Sequence, residues 1–208
     1  LQVRGYLEVG FPIDLLFLIS NKESITMAIE TSRITLHMVS SLDGFIAKRD
    51  GDISWMQSAD NYEKGITLSE EYISNFLNSI DCYVMGSYTY EHALELGWPY
   101  GDKPVWVISS RKLQSDRSQV EFFSGDLREL AGILKKSYEN IWMVGGPALT
   151  KEFLNLNLVN NIVITIAPII LGDGLLFFNY VGKEIKLHLK DVMAFNDGMV
   201  ELCYEIRD

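Results

Sequence analysis

Apolar residues along this chain recur with two periods, and the two alternate. The stretch ITLHMVSSLDGFIA at 34–47 opens on a short strand that ends at Ser40 and Ser41. In SEEYISNFLNSI at 69–80, Tyr72, Ile73, Phe76, Leu77 and Ile80 return every three or four residues, which marks one apolar face of a helix. Ser69 stands in the N-cap position, with Glu70 and Glu71 in the first turn. DCYVMGSYTYEHALELG at 81–97 predicts a strand, a glycine and a helix closed by Gly97. KPVWVISSRKL at 103–113 predicts a strand running into two serines and an arginine. DLRELAGILKKSY at 126–138 is an amphipathic helix whose late lysines suit its dipole, and IWMVGGPALTKEFL at 141–154 is strand, glycine pair and helix.

The C-terminal part changes pattern. NIVITIAPIILGDG (161–174), EIKLHLKDVMAF (184–195) and MVELCYEI (199–206) read as strands, and NDG at 196–198 is a hairpin turn signal. Strand–helix units call for parallel neighbours and the hairpin for an antiparallel edge. The predicted fold class is therefore α/β, a mixed and mostly parallel sheet with a C-terminal antiparallel hairpin.

Composition narrows the picture. With 208 residues, 48% of them hydrophobic and 22% charged, the chain can bury a full core and suits one domain. A net charge of −10, from 28 acidic and 18 basic residues, argues against nucleic acid or an anionic membrane surface as partner. The two cysteines, Cys82 and Cys203, lie far apart in apolar strands, which predicts reduced thiols and a cytoplasmic protein. His37, His92 and His188 have no metal-ligand spacing, so no metal site is expected. Residues 1–31 differ in character. Their apolar core is short, is interrupted by Asp14 and has no basic region before it, so they are read as a weakly ordered extension, with the functional domain starting near Met27 and occupying 32–208.

Gly145 and Gly146 raise the first chemical question, because glycine inside a regular element costs about 0.5–1 kcal/mol relative to alanine. Such a pair can serve a tight strand-to-helix turn, or let backbone N–H groups approach an anionic ligand at a helix N-terminus. Four predicted strand ends carry small or hydroxyl residues: SSLDG, MGSYTYE, ISSRK and VGGPA. Ligands of open α/β sheets lie beyond such carboxyl ends, so four on one rim suggest an extended anionic small molecule. The chain has no G-x-G-x-x-G after a strand, no P-loop and no G-x-S-x-G elbow.

Taken in order, SSLDGFIA, VMGSYTYE, VWVISSRK, WMVGGPALTKEFL and VITIAPIILGDGLLFF resemble the dihydrofolate reductase-like superfamily. The similarity is to the branch containing the reductase domain of bacterial riboflavin biosynthesis, and it runs over about residues 33–206. The resemblance implies a three-layer fold, NADPH as hydride donor, reduction of a small nitrogen heterocycle, and a homodimer through the C-terminal strands. By position, Val144, Gly145, Gly146, Pro147, Ala148, Leu149 and Thr150 would surround the pyrophosphate and nicotinamide, with a cis peptide between the glycines. Gly86, Ser87, Tyr88 and Thr89 would form a second phosphate contact. Ser109, Ser110 and Arg111 would meet the 2′-phosphate, and Val39, Ile46 and Ala47 the nicotinamide pocket. Folate-reducing relatives commonly carry a basic residue where this chain has Ser87, which leaves Arg111 as the main charged candidate.

Reduction also needs a proton. Asp60, five positions after Trp55, is the candidate acid by resemblance, with Glu63 behind it; SADNYEKG also reads as a solvated segment. Asp43 is a second candidate, or a turn acid fixing the SLDG loop. Trp55 and Thr165 match substrate-facing positions, while Thr165 also reads as an ordinary strand residue. Trp98, Trp106 and Trp142 read as core. The zinc deaminase motifs of the bifunctional riboflavin enzyme are absent, and His37 replaces the lysine usual in riboflavin reductases. Dihydrofolate reductase activity and a non-catalytic nucleotide-binding module are the alternatives.

Overall fold

Strand β1, Arg33–Ser41, leads the domain and is buried at nearly every second position and throughout its last three residues. The computed structural model describes residues 32–207, so the proposed extension at 1–31 lies outside the described residues. After β1 come β2 (Phe45–Ala47), a 3₁₀ turn (Ser54–Met56), α1 (Glu70–Ser79), β3 (Cys82–Gly86) and α2 (Ser87–Glu95). The chain continues through β4 (Val105–Ile108), β5 (Val120–Phe123), α3 (Leu127–Ser137), β6 (Asn140–Gly145) and α4 (Pro147–Asn155). It closes with β7 (Asn161–Ala167), β8 (Leu175–Leu176), β9 (Lys186–Ala194) and β10 (Val200–Arg207).

Eight strands form one sheet in the order β5-β4-β3-β6-β1-β7-β10-β9, and β2 pairs with β8 in a small second sheet. From β5 to β7 every neighbour is parallel. Strand β10 runs antiparallel to both β7 and β9, as the expected mixed sheet with its C-terminal hairpin requires. Gly198 closes that hairpin at φ 81°, a conformation open to glycine. Because β6 is inserted between β1 and β3, the carboxyl ends of β1, β6, β3 and β4 stand side by side on one rim.

The period-two side-chain alternation of β3 shows how the three layers form. Cys82 and Val84 point to one face, where they pack with Leu130 and Leu134 of α3 and with Phe153 and Leu154 of α4. Tyr83 and Met85 point to the other, against Tyr90 and Ala93 of α2, and the partly buried Phe76 and Leu77 of α1 close the same cluster. Burying apolar area on both faces at about 25 cal/mol per Å² is what holds such a sheet between helices. A third cluster, of Val39, Trp55, Ala167, Phe195 and Met199, covers the other side of the hairpin root.

The helix starts differ in one informative way. The Ser69 hydroxyl caps α1 by accepting from the Tyr72 N–H at 3.1 Å, and the Asp126 carboxylate caps α3 by accepting from the Arg128 and Glu129 N–H groups at 2.7 and 3.2 Å. Helices α2 and α4 start at Gly86 and Gly146 and have no side-chain cap. Three strands are not expected from the pattern: β2 and β8, of three and two residues, and β5, a four-residue edge strand with no fully buried position, are too short to show a period.

Candidate cofactor and substrate cleft

A cleft of about 1020 Å³ opens at the shared rim of β1, β6, β3 and β4. Val39, Ile46 and Ala47 line it from β1 and β2, and Gly86, Ser87, Tyr88 and Thr89 from the start of α2. Ser109, Ser110 and Arg111 line it beyond β4, and Val144, Gly146, Pro147, Ala148 and Leu149 from the end of β6 into α4. Gly145 is buried behind this wall at φ 108°, and its peptide bond to Gly146 is cis. Thr150 is also behind the wall, 1% exposed.

The uncapped starts of α2 and α4 meet here. A Cβ placed on Gly146 would come to 3.4 Å from Thr89 Oγ1, and one on Gly86 to 3.8 Å from the Gly145 carbonyl oxygen, so the two glycine turns face each other at close range. Their first-turn N–H groups have no side-chain acceptor, unlike those of α1 and α3. Two convergent helix N-termini without side-chain caps favour an anion without net positive charge, which this acidic chain lacks. A dinucleotide with a pyrophosphate fits this cradle. At its edge the Arg111 guanidinium lies 4.9 Å above the Tyr88 ring and 2.8 Å from Glu91 Oε2. The Glu91 carboxylate holds the Arg111 pKa above its usual value, so the one cation expected at the 2′-phosphate position already has a partner.

A second part of the wall is aromatic. His37 and Trp142 have ring centroids 5.0 Å apart, Trp142 and Tyr83 are 5.5 Å apart, and Tyr83 and Tyr100 are 4.7 Å apart, all four lining the cleft. The Trp142 indole N–H donates to the His37 carbonyl at 2.9 Å. Trp142 is thus not purely core as its apolar setting suggests, whereas Trp98 is buried core and Trp106 packs against the first cluster. Burial at 3% exposure pushes the His37 pKa well below 6.5.

Behind His37 stands a residue that the sequence does not single out. Glu201, on β10, is 0% exposed, and its Oε2 accepts from Thr165 Oγ1 at 3.0 Å and lies 3.7 Å from His37 Nε2. Burial pushes its carboxyl up to about 8. Thr165 therefore turns to this acid and is not among the residues lining the cleft. Its register explains the geometry, since Thr165 pairs with Val39 on one side and Glu201 on the other.

The expected acids lie elsewhere. Asp60 is exposed beside the hairpin, where any side chain on Gly198 would run into its carboxylate, and Glu63 is exposed as well. Neither is among the residues that line the cleft. The Asp43 carboxylate accepts from Ser41 Oγ at 2.6 Å, from the Leu171 N–H at 3.1 Å and from the Gly172 N–H at 2.7 Å. Those bonds, the Ser41 one first, lower its pKa and make it the acid that fixes the SLDG turn, off the cleft wall. Trp55 packs in the third cluster; its neighbours Ile53 and Met56 line the cleft instead.

Residues 32–201 match the model of the RibD C-terminal domain. The chain belongs to that family. It is 32% identical over 175 residues to the protein YwjB of Bacillus subtilis, covering 83% of this chain and 97% of that protein. It is 29% identical over 193 residues to YyaP of the same organism, covering 86% and 98%. The riboflavin biosynthesis protein RibD of Buchnera aphidicola is 31% identical over 111 residues, 43% of this chain and 29% of that protein. Among solved structures, a protein of Shewanella sp. PV-4 superposes with a TM-score of 0.72 at 23% identity, covering 85% of this chain and 99% of that one. A pyrimidine reductase-like protein of Corynebacterium diphtheriae gives a TM-score of 0.60 at 15% identity, with 88% and 96% covered. These likenesses establish the dihydrofolate reductase-like fold of the RibD reductase domains. Among the described residues no helix is long and apolar enough to cross a membrane.

Proposed function

We propose that this RibD C-terminal domain protein is an NADPH-dependent reductase of a small, planar nitrogen heterocycle. The observation that carries the reading is the convergence of two uncapped helix N-termini, at Gly86 and Gly146, on one cleft of about 1020 Å³. Their amides would hold the pyrophosphate, Ser109, Ser110 and Arg111 the adenosine 2′-phosphate, and Val39, Ile46 and Ala47 the nicotinamide. When bound, the nicotinamide supplies the hydride. Of the four aromatic rings at this wall, those of Trp142 and Tyr100 are the partly exposed ones and would meet an aromatic substrate, with His37 and Tyr83 buried beside them. Family membership supports the same class, as does the fold shared with a Thermotoga maritima deaminase/5-amino-6-(5-phosphoribosylamino)uracil reductase, of which this chain covers 57%.

The test is a titration with NADPH followed by Trp142 fluorescence, then loss of NADPH absorbance with 5-amino-6-(5-phosphoribosylamino)uracil and with dihydrofolate. Micromolar binding and turnover of the uracil is the expected result, and turnover of dihydrofolate instead reassigns the substrate. Absence of NADPH binding refutes the reading. The same reading includes a homodimer, because β9 is a sheet edge on which Leu187, Leu189 and Val192 are 42–50% exposed.

A further inference from the structure

Hydride reduction of a C=N bond leaves an electron pair on nitrogen that must take up a proton, and neither Asp60 nor Asp43 lies on the cleft wall. We propose that His37 and Glu201 deliver that proton, His37 as the group at the cleft and Glu201 as the positioning residue that holds the exchangeable proton behind it. The inference rests on the reductase reading and deepens it.

Three strands bring the pair together. His37 comes from β1 and Glu201 from β10, and β7 lies between them. Both side chains are closed off from solvent, 3% and 0% exposed, with Nε2 and Oε2 3.7 Å apart. That separation is slightly beyond a hydrogen bond, as contacts of catalytic groups often are before substrate binds. Thr165 fixes the carboxyl by donating to Oε2 at 3.0 Å, while Trp142 and Phe76 hold the imidazole ring between them at centroid distances of 5.0 and 5.4 Å. A carboxyl so placed has no use for packing alone, because an apolar residue would fill the site without the cost of burying a polar group.

Among the described residues, three titratable groups bear on Glu201. His37 stands on one side, Cys203 on its own strand has Sγ 3.8 Å from Oε1, and Asp191 on β9 acts through its charge. No cation among these offsets a carboxylate, and Asp191 adds repulsion, so the neutral acid is the resting form at pH 7. The step then balances. As the substrate carbon gains the hydride, its nitrogen takes the proton from one nitrogen of the imidazole. His37 receives a proton at Nε2 from the Glu201 carboxyl, which is left as carboxylate and is reprotonated by way of His37 once the product has left and water refills the cleft. The imidazole ends neutral in its other tautomer, NADPH ends as NADP⁺, and the substrate has gained one C–H and one N–H bond.

Glu201→Gln keeps the volume of the side chain and an oxygen acceptor for Thr165 while removing the ionisable proton. Difference infrared spectroscopy of the full chain, wild type against E201Q and without substrate, is expected to show a protonated carboxyl at pH 7 that is lost above about pH 8. With NADPH and 5-amino-6-(5-phosphoribosylamino)uracil, wild-type kcat is expected to fall on the alkaline side of that pH. In E201Q kcat should drop roughly 100-fold or more and lose that limb, with the Kd for NADPH unchanged, and Glu201→Asp should restore part of the rate. His37→Gln is expected to lose rate to a similar degree. A carboxyl already ionised at pH 7, or an E201Q protein with wild-type kcat and pH profile, overturns the proposal. Failure of NADPH to bind the wild type instead removes the reductase reading underneath it, so the two failures are told apart by the binding titration.

Discussion

The buried pair makes a prediction about stability that needs no substrate. Glu201 has its carboxyl raised from 4.5 to about 8, and His37 has its imidazole lowered well below 6.5, in both cases because burial disfavours the charged form. Between pH 4.5 and 8 the folded protein holds a proton on Glu201 that the unfolded chain has lost, so this group's stabilisation is complete below pH 4.5 and declines as pH rises toward 8. His37 acts oppositely, since below pH 6.5 the unfolded chain binds a proton that the folded protein does not, and stability rises with pH up to that value. The two slopes offset each other on the acid side of 6.5, and only the Glu201 slope remains from there to about 8. Over that interval, at about 1.4 kcal/mol per pH unit, the wild type should lose about 2 kcal/mol. The groups with lowered carboxyl pKa, Asp43, Asp52 and Asp173, titrate below the window, and Cys203, raised to about 12, titrates above it. Urea unfolding at a series of pH values reads the effect directly. Glu201→Gln should become more stable up to pH 6.5 and then stay level, whereas His37→Gln should decline throughout. Equal slopes in wild type and E201Q between pH 6.5 and 8 would falsify the assignment of a raised pKa to this carboxyl.

Other expectations follow from the cleft and the core. Arg111→Ala should raise the Kd for NADPH roughly 10- to 100-fold and leave NADH nearly unchanged, as loss of a charge-assisted phosphate contact predicts. Glu91→Gln should move the other way, tightening NADPH a few-fold, because the carboxylate 2.8 Å from Arg111 competes with the 2′-phosphate for it; parallel effects on NADH in both variants would remove the pair from that role. Phe153→Ala, at a 0% exposed position among α3, α4 and the sheet, should cost about 3–5 kcal/mol in urea unfolding. Leu189→Lys on β9 should convert a dimer to monomers in analytical ultracentrifugation, and a wild type that sediments as a monomer defeats the dimer proposal.

The glycine pair and the strand-end serines announce the cleft in the sequence because each is a local solution to a local problem. A turn that needs φ 108° at Gly145, or a backbone that passes within ordinary contact of Thr89 at Gly146, admits few residues, and the neighbours along the chain reveal it. The Ser69 cap, the helix faces and the NDG hairpin are legible for the same reason, since their partners lie within a few residues. The position of the acid near Trp55 is not legible in this way, because it depends on where a loop lies, and the loop places Asp60 against the hairpin and not in the cleft.

Sequence alone thus determined the layered α/β class, the order of the longer strands and helices and the glycine turns that open α2 and α4, all of which arise from periods and turns of short range. Tertiary structure alone decided the polar interior. In MVELCYEI, Glu201 occupies a polar place in an alternating strand and reads as solvent-facing. It is buried because β10 is set antiparallel beside β7, which puts Glu201 opposite Thr165, and β1 then brings His37 within 3.7 Å. Strand order and register are choices made between segments more than a hundred residues apart, and the pKa of a carboxyl follows from what those segments exclude, chiefly water.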